Sequence, residues 1–167
     1  MFRTYQPNPH VHKKIRGRGK VEGLTIRAMR ESDLPSVVAI ERLSFSTPWP
    51  ETSFFNEIYK RHSTAKVFVA GERVIGYMCA NQIADEGHIL NLAVHPDFRG
   101  RGIANTLVKN ILEELKENAC RFLYLEVRAS NNVARKLYEG FGFSVVGTRK
   151  EYYTEPKEDA VIMMLRL

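Results

Sequence analysis

Long hydrophobic runs are missing from this sequence, and cysteine is scarce. No stretch approaches the roughly 20 consecutive apolar residues that a membrane span needs, and the N-terminus lacks the apolar core of a secretory signal. Cys79 and Cys120 form no CxxC pair and have no histidine spacing typical of a zinc site, so we predict small buried thiols. These features predict a cytoplasmic protein without a metal centre.

Acidic residues are absent from residues 1–20, where all of the excess positive charge lies. The chain has 25 Lys and Arg residues against 19 Asp and Glu residues, for a net charge of +6. The basic residues of this segment account for that excess: Arg3, Lys13, Lys14, Arg16, Arg18 and Lys20. Two interpretations stay open, a solvated leader or an arm that weakly contacts RNA or another polyanion. We predict a basic, flexible tail over residues 1–22 and one folded domain over residues 23–167.

The hydrophobic periodicity predicts strands and helices in the order β-α-α-β-β-β-α-β-α-β-β. The predicted strands are residues 24–29, 66–70, 74–82, 88–94, 122–127, 143–152 and 160–166. The predicted helices start at a cap on Ser32 or Asp33, near Pro50, at Ile103 and at a cap on Asn131. This order indicates an α/β fold with a mixed, mostly antiparallel sheet, in which residues 89–127 form a parallel crossover.

Residues 94–104, VHPDFRGRGIA, predict a strand that enters a glycine-rich loop and then a long helix. Backbone N–H groups are free at a helix start, and the helix dipole adds positive potential there. Gly100 and Gly102 let the backbone approach a bulky anion, while Arg99 and Arg101 add full positive charges. The sequence therefore predicts a pyrophosphate site in this loop. No Gly-Lys-Ser/Thr follows, which excludes a Walker loop.

This stretch resembles motif A of the GNAT acetyltransferases, whose loop pattern is Gln/Arg-x-x-Gly-x-Gly/Ala. The resemblance extends over residues 24–167 and implies the GNAT fold with acetyl-CoA as cosubstrate and no metal. It implies that the CoA pyrophosphate contacts Arg99, Gly100, Arg101, Gly102, Ile103 and Ala104. It also implies pantetheine contacts with the exposed backbone of Leu92, Ala93 and Val94 and with Asn131.

Residues 123–131, LYLEVRASN, followed by ARKLYEGFGF, are similar to a narrower group, the RimI-like and archaeal protein N-terminal acetyltransferases. This resemblance implies acetyl transfer to the α-amine of a protein N-terminus, on a ribosomal protein or on nascent chains. Direct attack in a ternary complex is the implied route. Three alternatives stay open: a lysine acetyltransferase, a polyamine acetyltransferase, and a non-catalytic module that binds acyl-CoA or associates with RNA.

Three residues are candidates for proton transfer. Glu126 ends an apolar strand, and a desolvated carboxylate there would have a raised pKa suited to a general base. The alternative is an ion pair with Arg128 or with a neighbouring strand. The resemblance implies that Tyr138 is the general acid for the departing thiolate, and Gly87-His88-Ile89 offers His88 as a second base. In its own sequence context, Tyr138 also fits a buried core position.

Aromatic residues near the expected acceptor side predict the walls of a peptide groove: Phe45, Trp49, Tyr152 and Tyr153. Ordinary packing of these rings is the alternative. A neutral amine is needed for attack on a thioester. At pH 7.5 about a third of an α-amine is neutral, against about one part in a thousand of a lysine, so a modest base suffices for an N-terminus.

Overall fold

The computed structural model describes residues 23–167, and its strands and helices follow the predicted order. The predicted basic tail, residues 1–22, lies outside the described residues. The strands are β1 (Leu24–Ala28), β2 (Ser63–Ala70), β3 (Arg73–Ile83), β4 (Glu86–Val94), β5 (Phe122–Arg128), β6 (Ser144–Thr154) and β7 (Lys157–Arg166). The helices are α1 (Leu34–Ser44), α2 (Glu51–Tyr59), α3 (Ile103–Glu117) and α4 (Asn132–Gly140).

The strands form one seven-stranded sheet in the order β1-β2-β3-β4-β5-β7-β6. Every neighbouring pair is antiparallel except β4 and β5, which are parallel because α3 carries the chain back across the sheet between them. This arrangement confirms the predicted mixed, mostly antiparallel sheet with its parallel crossover. Apolar side chains of α3, including Leu107 and Ile111, pack into one hydrophobic core, and those of α1, including Val37 and Ile40, pack into a second.

The parallel pairing of β4 and β5 is short, and this positions the site. Residues Glu86 to Ile89 pair with residues Phe122 to Leu125, and the register ends there. Opposite this point, the pairing of β3 with β4 shifts between Cys79 and Ala80, so that Leu90 is an extra residue in β4. Beyond Leu90, β4 pairs only with β3 and β5 only with β7, which leaves an opening in the sheet between them.

Most strands differ from their predicted ends by one to three residues, and the predicted cap of α1 differs in its contacts. Strand β2 begins at Ser63, three residues before the predicted start, because its early residues pair with β3. Asp33 occupies the N-cap of α1, but its carboxylate makes no cap hydrogen bond. It instead pairs with Arg27 at 2.6 Å and accepts from the Arg30 N–H at 2.8 Å. The Arg27 guanidinium is the main reason that the pKa of Asp33 is lowered.

Both cysteines are buried and free, which confirms the prediction, and burial raises the pKa of the Cys79 thiol. Within residues 23–167 no helix has both the length and the apolar character needed to cross a membrane. The same part of the chain contains no group of three or more His, Cys, Asp or Glu side chains placed to hold a metal ion.

Candidate active site

A cavity of about 630 Å³ lies at the opening between β4 and β5. Its walls come from the α1–α2 loop, from Leu90 to Leu92 of β4, from the end of β5, from α4 and from the β6–β7 hairpin. Eight of the residues singled out by sequence line it: Phe45, Trp49, Leu92, Glu126, Asn131, Tyr138, Tyr152 and Tyr153. A more open depression of about 590 Å³ on α2 shares only Trp49 with that set. The sheet opening thus brings together residues from five separate elements.

Glu126 lies on β5 with its side chain 16% exposed and contacts two basic side chains. Its Oε2 is 3.2 Å from Nε2 of His88, and its Oε1 is 3.2 Å from a terminal nitrogen of Arg149. The hydrogen bond from His88 is the largest reason that the pKa of Glu126 is lowered, and it outweighs the opposing effect of burial. The expected rise in pKa is therefore wrong. The carboxylate has a hydrogen-bond partner on the neighbouring strand β4 and an ion-pair partner on β6, whereas Arg128 does not pair with it.

His88 lies outside the cavity lining and contacts it through Glu126. It sits on β4 directly beside Tyr124 of β5 in the parallel register, and the two rings are 6.0 Å apart. Its side chain is 39% exposed and lines a smaller depression together with Tyr124. His88 and Glu126 thus form a hydrogen-bonded dyad, with one member facing the cavity and the other reaching solvent.

Tyr138 is 6% exposed and lies on the inner face of α4. Its ring packs edge-on against Phe143 at 5.5 Å, and burial raises its pKa above the ordinary tyrosine value. The phenol is therefore protonated at neutral pH and able to donate a proton into the cavity that it lines. The start of α4 is fixed as predicted, because the side chain of Asn131 accepts a hydrogen bond from the Ala134 N–H at 3.1 Å.

The glycine-rich loop before α3 has the conformation that an anion site requires. Gly100 and Gly102 have φ values of +73° and +79°, and a Cβ added at either would meet nothing within 4 Å. The backbone there is open to solvent at the N-terminus of a 15-residue helix, which fits a pyrophosphate. The side chain of Ile103 is buried in the core next to α3, so this residue offers a ligand only its main chain. The same is true of Ala93 and Val94 on β4.

The two arginines of this loop contact the protein itself. Arg99 donates to the Val94 carbonyl at 3.0 Å and to the Ser44 hydroxyl at 2.9 Å, which ties the loop to the end of α1. Arg101 donates to the Asp97 carbonyl at 3.1 Å. Both side chains remain exposed on the loop, so they supply positive potential while they also stabilise its shape.

The four predicted acceptor-side aromatics fall into two exposed and two packed rings. Phe45 is 36% exposed and Tyr152 is 49% exposed. Trp49 packs on Phe54 at 5.4 Å, and Tyr153 lies 5.1 Å from Tyr152. Burial raises the pKa of Tyr153 to about 12. The α1–α2 loop and the β6–β7 hairpin thus each present one exposed and one packed ring on the cavity.

Glu41 is a cavity residue that the sequence interpretation missed. Its side chain is only 1% exposed, and its carboxylate accepts from the Trp49 N–H at 2.8 Å, from the Asn91 amide at 3.2 Å and from the Tyr77 hydroxyl. These contacts connect the α1–α2 loop to β4 next to its extra residue, Leu90. The signal was present in the helical spacing, because Glu41 continues the buried stripe of Leu34 and Val38 on α1.

Comparisons with known proteins place the chain in a family. Residues 34–143 match the model of the Acetyltransferase (GNAT) family. A putative ribosomal protein bS18-alanine N-acetyltransferase of Bacillus subtilis (strain 168) is 37% identical over 143 residues, which are 85% of this chain and 95% of that protein. The ribosomal protein bS18-alanine N-acetyltransferase of Salmonella typhimurium is 36% identical over 143 residues, 84% of this chain and 96% of that protein.

The fold agrees with these relatives. The crystal structure of the ribosomal-protein-S18-alanine N-acetyltransferase from Escherichia coli aligns with a TM-score of 0.80 and 32% identity, covering 86% of this chain and 93% of the other. The matched region includes the glycine-rich loop, Glu126 and Tyr138. The chain therefore belongs to the acetyltransferase (GNAT) family and is an N-acetyltransferase that takes its acetyl group from acetyl-CoA.

Proposed function

We propose that this chain acetylates the α-amine of a protein N-terminus and that its target is a ribosomal protein bS18 that begins with alanine. The cavity carries this proposal, because a carboxylate and a protonated phenol from two different elements face the same space between two aromatic walls. The named activity of the bacterial relatives supports the target. A ribosomal target places the enzyme in the cytoplasm.

The proposed reaction assigns one proton step to each side of the cavity. The neutral acceptor amine attacks the carbonyl carbon of the thioester, and its nitrogen gives up one proton to the Glu126–His88 dyad as the amide forms. The C–S bond breaks, and the leaving thiolate takes a proton from the Tyr138 hydroxyl. Proton exchange with solvent then removes the proton from the dyad and returns one to Tyr138. The glycine-rich loop holds the pyrophosphate, and the main chain of Leu92 to Val94 and the Asn131 side chain hold the pantetheine arm.

The charges of the lining favour an N-terminal amine over a polyamine. The acidic residues that line the cavity are Glu41 and Glu126. The first accepts three hydrogen bonds from within the protein, and the second pairs with His88 and Arg149. Neither carboxylate is therefore available as a separate site for a second ammonium group. The exposed rings of Phe45 and Tyr152 instead offer apolar surface to the residues that follow an N-terminus.

A paired-peptide assay tests the proposal. Peptides that begin with alanine and contain one internal lysine are incubated with acetyl-CoA, with the N-terminus free in one set and blocked in the other. We expect mass spectrometry to find one acetyl group, on the α-amine of the free peptides only. Transfer to blocked peptides would change the acceptor to lysine, and turnover of spermidine alone would change it to a polyamine. A series of first residues then tests the preference for alanine.

The glycine-rich loop gives a second test, on the donor side. Gly102→Ala forces a residue with a Cβ into a positive φ, at a cost of about 1 kcal/mol, and directs a methyl group into the open anion site. We expect the KM for acetyl-CoA to rise about tenfold while kcat at saturation changes less than about twofold. Gly71→Ala is the matched control, since Gly71 has a φ of +59° and equally open space in the β2–β3 turn. An equal rise of the KM for acetyl-CoA in both variants would mean that the glycine-rich loop does not bind the cosubstrate.

A further inference from the structure

The outer part of the β6–β7 hairpin extends beyond the rest of the sheet. Strand β5 has its last pair with β7 at Arg128 and Ala160. Residues 150–159, which we call the hairpin tip, lie past this point, where β6 and β7 pair only with each other. A two-stranded ribbon is marginally stable by itself, so the position of the tip depends on contacts with other elements.

Arg128 provides such contacts to both sides of the cavity. Its guanidinium donates to the carbonyls of Glu155 at 2.9 Å and Pro156 at 3.1 Å in the hairpin tip. The same group donates to the Ser46 hydroxyl in the α1–α2 loop at 3.2 Å, and that hydroxyl also donates to the Glu155 carbonyl. The Arg128 side chain is 19% exposed, and its guanidinium lies 4.1 Å from the centre of the Tyr153 ring.

Only a planar group with several fixed donors can make this set of contacts. A guanidinium carries five N–H donors in one plane and stacks on an aromatic face, whereas an ammonium group is a compact point donor. The nearest carboxylate is that of Glu158 at 3.5 Å, so most of the hydrogen bonding goes to neutral oxygens. The contacts therefore suit holding two chain segments at a fixed separation better than neutralising a charge.

We propose that Arg128 is a positioning residue that sets the width of the acceptor groove by joining the α1–α2 loop to the hairpin tip. The proposal rests on the function proposed above, since it takes the space between these walls as the entry of the protein N-terminus. Arg128 lies two residues after Glu126 on β5, on the same side of the strand. Arg128 and Ser46 also line the cavity, so the bridge fixes the acceptor walls relative to the base.

The rest of the α1–α2 loop is held by other residues, which defines what the Arg128 bridge controls. Arg99 binds Ser44, the last residue of α1, and Glu41 binds the backbone of Trp49 near the end of the loop. Arg128 holds the middle, at Ser46. Loss of the bridge is expected to release the middle of the loop and the hairpin tip while the glycine-rich loop and the Glu126–His88 dyad stay in place.

The kinetic experiment compares Arg128→Lys and Arg128→Gln with the wild-type enzyme on an alanine-initiated peptide. We expect the KM for the peptide to rise about tenfold in both variants, with the Kd of acetyl-CoA within about twofold of wild type. Ser46→Ala is expected to shift the peptide KM in the same direction and to add little to Arg128→Gln. Arg121→Gln is the matched control, because Arg121 also pairs with an acid and lies over a ring, but at the other end of β5. A peptide KM within twofold of wild type in Arg128→Gln, or an equal rise in acetyl-CoA Kd, would overturn the proposal.

Amide hydrogen exchange separates this proposal from the choice of acceptor. Trp49 is held by Glu41 and packs on Phe54, so the bridge is followed at residues 45–47 and in the hairpin tip. We expect the amides of these two segments to exchange faster in Arg128→Gln than in wild type, with no change in Arg121→Gln. Unchanged exchange in Arg128→Gln overturns the bridge, whereas wild-type transfer to lysine alone overturns only the proposed function. If Arg128→Gln does not fold, Arg128→Lys and Ser46→Ala provide the same readout.

Discussion

Replacement of Tyr138 by phenylalanine is expected to lower kcat by about 10²- to 10³-fold with little change in either KM. The hydroxyl is the group that protonates the leaving thiolate in the proposed reaction, and burial raises its pKa so that it holds its proton at neutral pH. The ring remains packed on Phe143 in the variant, so the fold loses no large volume.

Steady-state kinetics with both substrates varied would measure this effect, and thermal unfolding would check the fold. Tyr59→Phe is a suitable control, because Tyr59 is 62% exposed on α2 and its hydroxyl donates to Glu31, away from the cavity. Wild-type kcat in Tyr138→Phe would remove the assigned acid. A higher peptide KM with unchanged kcat would instead make Tyr138 a part of the acceptor wall.

Glu126→Gln is expected to lower kcat/KM about 10²-fold, because an amide oxygen accepts a proton far less readily than a carboxylate. The glutamine also lacks the negative charge that contacts His88 and Arg149. Glu114→Gln is a matched control, since Glu114 likewise has two partners, Lys66 at 2.7 Å and Thr64 at 3.0 Å. If His88 and Glu126 act as one unit, His88→Gln causes a similar loss and the double variant is no worse than Glu126→Gln. Wild-type turnover in Glu126→Gln would remove it as the base.

The lowered pKa of Glu126 also fixes how stability depends on pH. A folded-state pKa below the unfolded value of about 4.3 stabilises the fold at pH values above the unfolded pKa, and this contribution is lost as pH falls through the folded-state pKa. The difference in unfolding free energy between wild type and Glu126→Gln is therefore expected to be largest near neutral pH and to become smaller below about pH 4. Urea unfolding at several pH values measures it, and a difference that grows on acidification would contradict the lowered pKa.

The parts of the site that the sequence revealed are local in the chain. The glycine-rich loop and the Asn131 cap each depend on a few consecutive residues, and Tyr138 lies in a contiguous sequence motif. Sequence reasoning alone placed Glu126 correctly at the end of a strand next to the opening.

What the sequence did not reveal depends on strand register. The partners of Glu126 come from β4 and β6. The register of β4 with β5 places His88 opposite Tyr124, and from there the side chain of His88, rather than that of Ile89, contacts Glu126. The error in the expected pKa of Glu126 has this cause, because a partner on a neighbouring strand was only one alternative and the sequence did not show that the hydrogen bond from His88 outweighs burial. The contacts of Arg128 depend on where the tip of a hairpin folds back, which hydrophobic periodicity does not encode.

Because the β4–β5 pairing ends early, the two substrates meet different kinds of protein group at the opening, main chain on one side and side chains on the other. In the proposed arrangement, acetyl-CoA binds to the backbone of β4 and of the glycine-rich loop, which most substitutions leave chemically unchanged. The acceptor meets side chains on a loop and a hairpin tip, where replacements alter shape and polarity directly. Acceptor preference can therefore diverge during evolution, or be redesigned, without rebuilding the part of the enzyme that recognises its common cosubstrate.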